Sequence, residues 1–250
     1  MTPLRRCGCL SGLLLASSFA QDLSSPSRVL LLQGETFHVQ GIDIGGDRLW
    51  VSAVDQNARK GRLFEYSLSS GRRLRSVEVQ DGVRYHPGGI ATDAVSIWIP
   101  VAEYRRDSSA VIERRSKATL ELMTRFSVQD HIGCVAVQGD VIVGGNWDSR
   151  TMYVWNARGE LQRKLPNPRP TAYQDMKLVG GHLVASGLLP GKSGVVDWLE
   201  FPDLTLIRSL SVGATDRGQP YTREGMTYAG GKLYFLPEDR SSRLFVFDVK

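Results

Sequence analysis

The segment His86-Pro87-Gly88-Gly89-Ile90-Ala91 returns along the chain. Clear copies are His38-Val39-Gln40-Gly41-Ile42-Asp43 and His131-Ile132-Gly133-Cys134-Val135-Ala136. Fainter ones are Tyr173-Gln174-Asp175-Met176 and Arg223-Glu224-Gly225-Met226. His86 follows His38 by 48 residues, His131 follows by 45, and the last two copies start 42 and 50 residues further on. A self-similar period of roughly 40 to 50 residues, built from short strands, is the pattern of propeller blades.

Each unit divides in the same way. Ile42 to Ile44 and Leu49 to Val54 are apolar runs joined by Gly45-Gly46-Asp47, and Leu63 to Leu68 joins the run at Leu74 through Ser69-Ser70-Gly71. Glycine with Asp, Ser or a second Gly between apolar runs signals a hairpin. Four such runs form one meander. The fifth unit has only three, ending at Leu244 to Val249, whereas Arg28 to Leu32 is a run without a unit. Joining the two hides two sheet edges. The expected fold is therefore all-β: a five-bladed β-propeller of four-stranded antiparallel blades, its ring closed by the N-terminal strand. In repeat rhythm, from Arg28 to Lys250, the chain resembles secreted bacterial propellers of the WD40-like, quinoprotein-like and gluconolactonase-like groupings. No motif carries functional residues over from any of them.

Residues 1–20 differ in composition. Arg5-Arg6 precedes a small and apolar run that ends Ser18-Phe19-Ala20, the pattern of a signal peptide cleaved near Ala20. That run is too short for a membrane span. The expected division is a leader at 1–20, a flexible lead at 21–27 and one propeller domain at 28–250, in an exported protein, periplasmic or extracellular. Cleavage would remove Cys7 and Cys9, leaving Cys134 in an inner strand as a buried, inert thiol. The formal charge of +5 would fall to +3 with Arg5 and Arg6 gone. No basic block with interleaved aromatics suggests a nucleic-acid partner.

Because successive strands reverse direction, the loop leading into each first strand and the loop between second and third strands open on one face. The inner strands line the channel, so that face carries its mouth. His38, His86 and His131 share one register there, joined by Tyr173, Gln174, Arg223 and Glu224. Glu103, Trp147 and Asp148 come from the second set of loops. Three roles are open for the histidines: bracing their own loops, holding a divalent metal as His38, His86, His131 and Glu224, or acid–base catalysis by His86 or His131 with Glu224. Tyr173, Gln174, Arg223, Trp147, Asp148 and Glu103 are the candidate ligand contacts. The favoured expectation is a non-catalytic propeller that binds a small molecule or a protein at the mouth. The alternative is a metal-dependent hydrolase or lyase. Basic loop residues such as Arg62, Arg105, Arg106 and Arg243 could steer an anionic ligand, or pair with neighbouring acids.

Overall fold

Hairpin turns set the frame. Gly180-Gly181 and Gly230-Gly231 hold φ of 59° and 82°, and of 58° and 72°. Both central residues of each turn are left-handed, the geometry that matches strand twist. The computed structural model describes residues 22–23, 25–239 and 241–249, and places these turns within five antiparallel meanders.

Blade 1 runs His38–Gly45, Arg48–Asp55, Lys60–Ser67 and Arg73–Glu78. Blade 2 has its inner strand broken into His86–Pro87 and Ala91–Thr92, followed by Ser96–Ala102, Ala110–Ser116 and Leu122–Val128. Blade 3 runs Ile132–Gln138, Val141–Asn146, Thr151–Asn156 and Leu161–Pro166, and blade 4 Ala172–Val179, His182–Leu188, Gly194–Glu200 and Thr205–Val212. Blade 5 has Glu224–Ala229, Lys232–Pro237 and Arg243–Asp248, with Arg28–Leu31 as its outer strand. Val29 pairs with Phe245 across that closure, as the unpaired N-terminal run leads one to expect.

Burial follows from blade stacking. The second strand of blade 2 is buried on both faces, whereas its outer strand is exposed along most of its length. Five apolar clusters fill the five gaps between neighbouring blades. Trp50, Trp98, Trp155 and Trp198 are buried in them, and so is Cys134, whose thiol is pushed up to about 12 by burial. Each large side chain so buried contributes roughly 1.5–3 kcal/mol.

One segment departs from expectation. Within the lead expected to be flexible, Asp22–Leu23 pairs in parallel with Ser211 and Val212 as a fifth strand of blade 4. Leu23 is buried in the cluster between blades 4 and 5, so a single apolar side chain anchors the lead. The expected leader, residues 1–20, lies outside the described residues.

The inner strands are tied together by carboxylates across the channel. Asp175 Oδ2 accepts the amides of Ile42 in blade 1 and Met226 in blade 5, both at 3.0 Å. Its Oδ1 accepts the amide of Met176 and the Lys177 ammonium, and that ammonium also donates to the carbonyl of Ile90 in blade 2. Asp43 links blades 2 and 5 through the amide of Thr92 and the hydroxyl of Thr227. Blades 2 and 3 also join directly, through the amides of Gly89 and Val135 bonded to the carbonyls of Gly133 and Gly89, and the two short acidic side chains tie in blades 1, 4 and 5.

Candidate functional site

At the mouth each inner strand begins with an irregularity. The register shifts between Val39 and Gly41, Ile132 and Cys134, and Tyr173 and Asp175, leaving Gln40, Gly133 and Gln174 as bulge residues. A β-bulge turns its extra residue out of the ladder. In blade 5 the same place falls to Glu224, because the next residue, Gly225, packs against Gly41 and Ile42. Glu224 keeps its ladder partner Pro237 but holds φ at +89°, a strained conformation for a side-chain-bearing residue. Blade 2 contributes Gly88 at this place, beside Gly133. Two glutamines, two glycines and one glutamate therefore hold this place in the five blades, and all but Gly88 line the opening.

This alignment corrects the register read from sequence in blade 4. Gln174, not Asp175, matches Gln40, and Tyr173 matches Val39. Tyr173 is consequently a packed residue whose hydroxyl donates to Asp197 at 2.7 Å, although part of it still borders the mouth. Asp175, the next residue but one, is fully buried in the channel below. A period-two strand turns a one-residue slip into a change of face.

The ring encloses a cavity of about 260 Å³, lined by all three histidines of the shared register together with Gln40, Gln174 and Glu224. The histidines do three different things. His131 Nδ1 donates to the carbonyl of Arg105 at 2.9 Å and lies 3.1 Å from Ser108 Oγ, so this ring braces the loop after the second strand of blade 2. His38 Nδ1 sits 3.2 Å from Glu238 Oε1. Burial lowers its pKa, but the contact with Glu238 and the charges of Glu224 and Glu238 outweigh this and leave it raised. His86 stands between Tyr104 and His131, ring centroids at 4.5 and 5.4 Å, with its Nδ1 buried and unpartnered. Burial, then the nearby His131 and His38, bring its pKa down to about 3, so its imidazole is neutral at physiological pH.

Opposite the aromatic side lies Glu224. Desolvation lifts its carboxyl to about 7, against the pull of His38. His38, Glu224 and Glu238 each place one ligand-type atom within 4.8 Å of the others, and this is the one such trio among the described residues. The metal set expected from sequence, which relied on His86 and His131, is not the group that the fold gathers. The trio is a charge network: the Arg223 guanidinium already sits 2.9 Å from Glu238 and 3.9 Å from Glu224.

The other expected contacts divide. Gln174, Trp147 and Asp148 line the cavity, Trp147 packing on His131 at 4.6 Å and Asp148 pairing with Arg106 at 2.7 Å. Arg223 faces a neighbouring groove instead. Glu103 holds its own loop, pairing with Arg105 and accepting from the hydroxyl of Ser109, and does not line the cavity. Tyr104 and Asn146 do line it and escaped the sequence reading. Tyr104 is one residue from Glu103, and its neighbours are far off in sequence: the His86 ring packs on it and the Gln56 amide donates to its hydroxyl. The basic loop residues are occupied: Arg62 by Asp55 and Glu78, Arg105 by Glu103, Arg243 by Asp216 and Asp239. Among the described residues, no lysine or arginine lines the cavity.

The fold and site define a β-propeller of the WD40-like type with a polar cavity at one mouth of its channel. Residues 55–187 match a family described as a family of unknown function, DUF6454, and the chain belongs to that family. A search of curated proteins finds no match. Among solved structures, the chain is similar to glutaminyl cyclase of Myxococcus xanthus, with a TM-score of 0.68 and 13% identity over 90% of this chain and 96% of that one. BamB from Moraxella catarrhalis (TM-score 0.47, 11% identity, 90% of this chain and 61% of that one) shares the general likeness. So does the Pan2 WD40 domain of Neurospora crassa (0.48, 11%, 82% and 57%). Among the described residues, no helix is long and apolar enough to cross a membrane.

Proposed function

We propose that the mouth cavity binds a small polar ligand and that Glu224 moves a proton on it, so that the protein is an enzyme and not only a binder. The observation that carries this reading is Glu224 itself. A strained backbone presents its buried carboxyl to a cavity, and the surroundings bring it near neutrality. A general acid–base group works best when its pKa lies close to the working pH. Neutral His86 and the carboxamides of Gln40 and Gln174 supply hydrogen-bonding partners around it. The glutamine, asparagine, histidine and carboxyl groups of the lining suit a polar ligand head.

Cyclisation of an N-terminal glutamine, the reaction named for the neighbour of similar fold, is chemistry of the fitting kind. The amine nitrogen bonds to the side-chain carbonyl carbon, the carbon–nitrogen bond of the amide breaks, and ammonia leaves. One proton must pass from the attacking amine to the departing nitrogen, and a single carboxyl near neutrality can carry it. Purified protein is incubated with a glutaminyl peptide and ammonia release is followed. The expected result is turnover that falls about 10²- to 10⁴-fold in Glu224→Gln with the fold retained. No ammonia above the blank removes this reaction, and wild-type turnover in the variant removes the role of Glu224. Export is proposed with this reading, on residues 1–20, and N-terminal sequencing of secreted protein tests it.

A further inference from the structure

A second cavity, of about 930 Å³, adjoins the mouth. The two share His38, and Arg223 lines the groove while its neighbour Glu224 lines the mouth. The groove exists because of the ring closure. Residues 35–39, which connect the closing strand to blade 1, form one wall, and the loops of blade 5 form the other. A hydroxyl contact between Thr36 and Ser242 and a hydrogen bond from the amide of Leu32 to the carbonyl of Ser242 join the two walls. Phe37 and Ser241, both in the groove lining, hold φ of 55° and 56°. Two side-chain-bearing residues in left-handed conformation, one on each wall of the same groove, are a concentrated cost for loops with no ligand to shape.

We infer that the groove binds the body of a polypeptide whose end sits in the mouth. This rests on the reading of the mouth as a small-ligand site. Volume supports it: ligand sites run from about 300 to 1,000 Å³, so the mouth alone is undersized and the groove restores a full site. Charge supports it too. Arg217 and Arg223 stand beside Glu35, Glu238 and Asp239, giving a lining of both signs. A chain of mixed charge meets paired charges of both signs there, whereas a polyanion such as nucleic acid or an acidic polysaccharide meets three carboxylates. Phe37, 38% exposed and stacked on Phe64 at 6.3 Å, offers an apolar contact midway.

The test compares the affinity of an octapeptide of mixed charge beginning with glutamine with that of a glutaminyl dipeptide amide, by calorimetry on the full-length protein. We expect the octapeptide to bind at least about tenfold more tightly. That ratio should shrink at least about fivefold in Phe37→Gly, which suits the left-handed backbone, and in Gln219→Trp, which fills the groove. The inference falls if the octapeptide binds within about threefold of the dipeptide, or if the ratio survives both variants with their melting unchanged. It falls equally if a neutral hexasaccharide binds and the octapeptide does not. The two readings separate between wild type and Glu224→Gln: wild-type turnover that is lost in the variant with the ratio kept supports both, whereas wild-type protein that shows the ratio but no turnover leaves the groove standing while the role of Glu224 fails.

Discussion

His38 Nδ1 lies 3.2 Å from Glu238 Oε1, and this contact favours the protonated imidazole beside the buried carboxyl of Glu224. The histidine therefore works against the desolvation that lifts Glu224. Replacing it tests the network. In His38→Gln the titration of Glu224, read from the pH dependence of turnover or from carboxyl NMR, should move upward from about 7. An unchanged or lowered midpoint would show that His38 is neutral in the folded protein.

Glu224 and His86 should give stability opposite dependences on pH. Glu224 titrates near 7 when folded and near 4.5 when unfolded, so between these values the folded state keeps a proton that the unfolded state releases. Its contribution is complete below about 4.5 and is lost as pH rises through 7. Glu224→Gln should therefore gain up to about 3 kcal/mol over the parent at pH 8 and nothing at pH 4. His86 titrates near 3 when folded and 6.5 when unfolded, so its contribution is present above 6.5 and lost as pH falls toward 3. His86→Gln should flatten acid unfolding over that window. Denaturant melts at four pH values would check both slopes.

The two glycines at the mouth should respond differently to alanine. A Cβ on Gly133 meets nothing closer than 3.7 Å, whereas one on Gly88 would lie 2.0 Å from the carbonyl oxygen of Gly133. Gly133→Ala is expected to leave melting within about 0.5 kcal/mol of wild type while weakening ligand binding, since residue 133 lines the cavity. Gly88→Ala should destabilise by about 1–3 kcal/mol. Equal melting of the two variants would mean that the inner strands of blades 2 and 3 are looser than their contact implies.

Removing residues 21–32 deletes the outer strand of blade 5 together with Leu23 and Leu32, which are buried at the interfaces of blade 5 with blades 4 and 1. The truncated chain should melt far below the parent or aggregate through its newly open edge. Light scattering and a thermal melt report this directly, and a truncated form as stable as the parent would refute the closure.

The charge network also predicts metal behaviour. With Arg223 seated on Glu238, the His38–Glu224–Glu238 trio should hold zinc or manganese only weakly. Chelator treatment is expected to shift the melting temperature by less than about 1 °C. Stoichiometric metal in purified protein, lost in Glu238→Gln, would overturn this.

The repeat period, the Gly-rich turns and the unpaired Arg28 to Leu32 run determined the five blades and their closure, because hairpins are encoded locally in turn residues and alternation. Strand parity alone brings His38, His86, His131 and Glu224 to one face. Tertiary structure alone decided what each of them does. The bulges at Gln40, Gly133 and Gln174 leave no mark in the residue pattern, yet they set which side chains reach the opening and which, like Tyr173 and Asp175, turn into the core. Three histidines in one register acquired three environments: a backbone carbonyl, a carboxylate and a gap between aromatic rings. These environments come from loops of neighbouring blades, and burial and charge at a point in space are sums over residues that the order of the chain keeps apart.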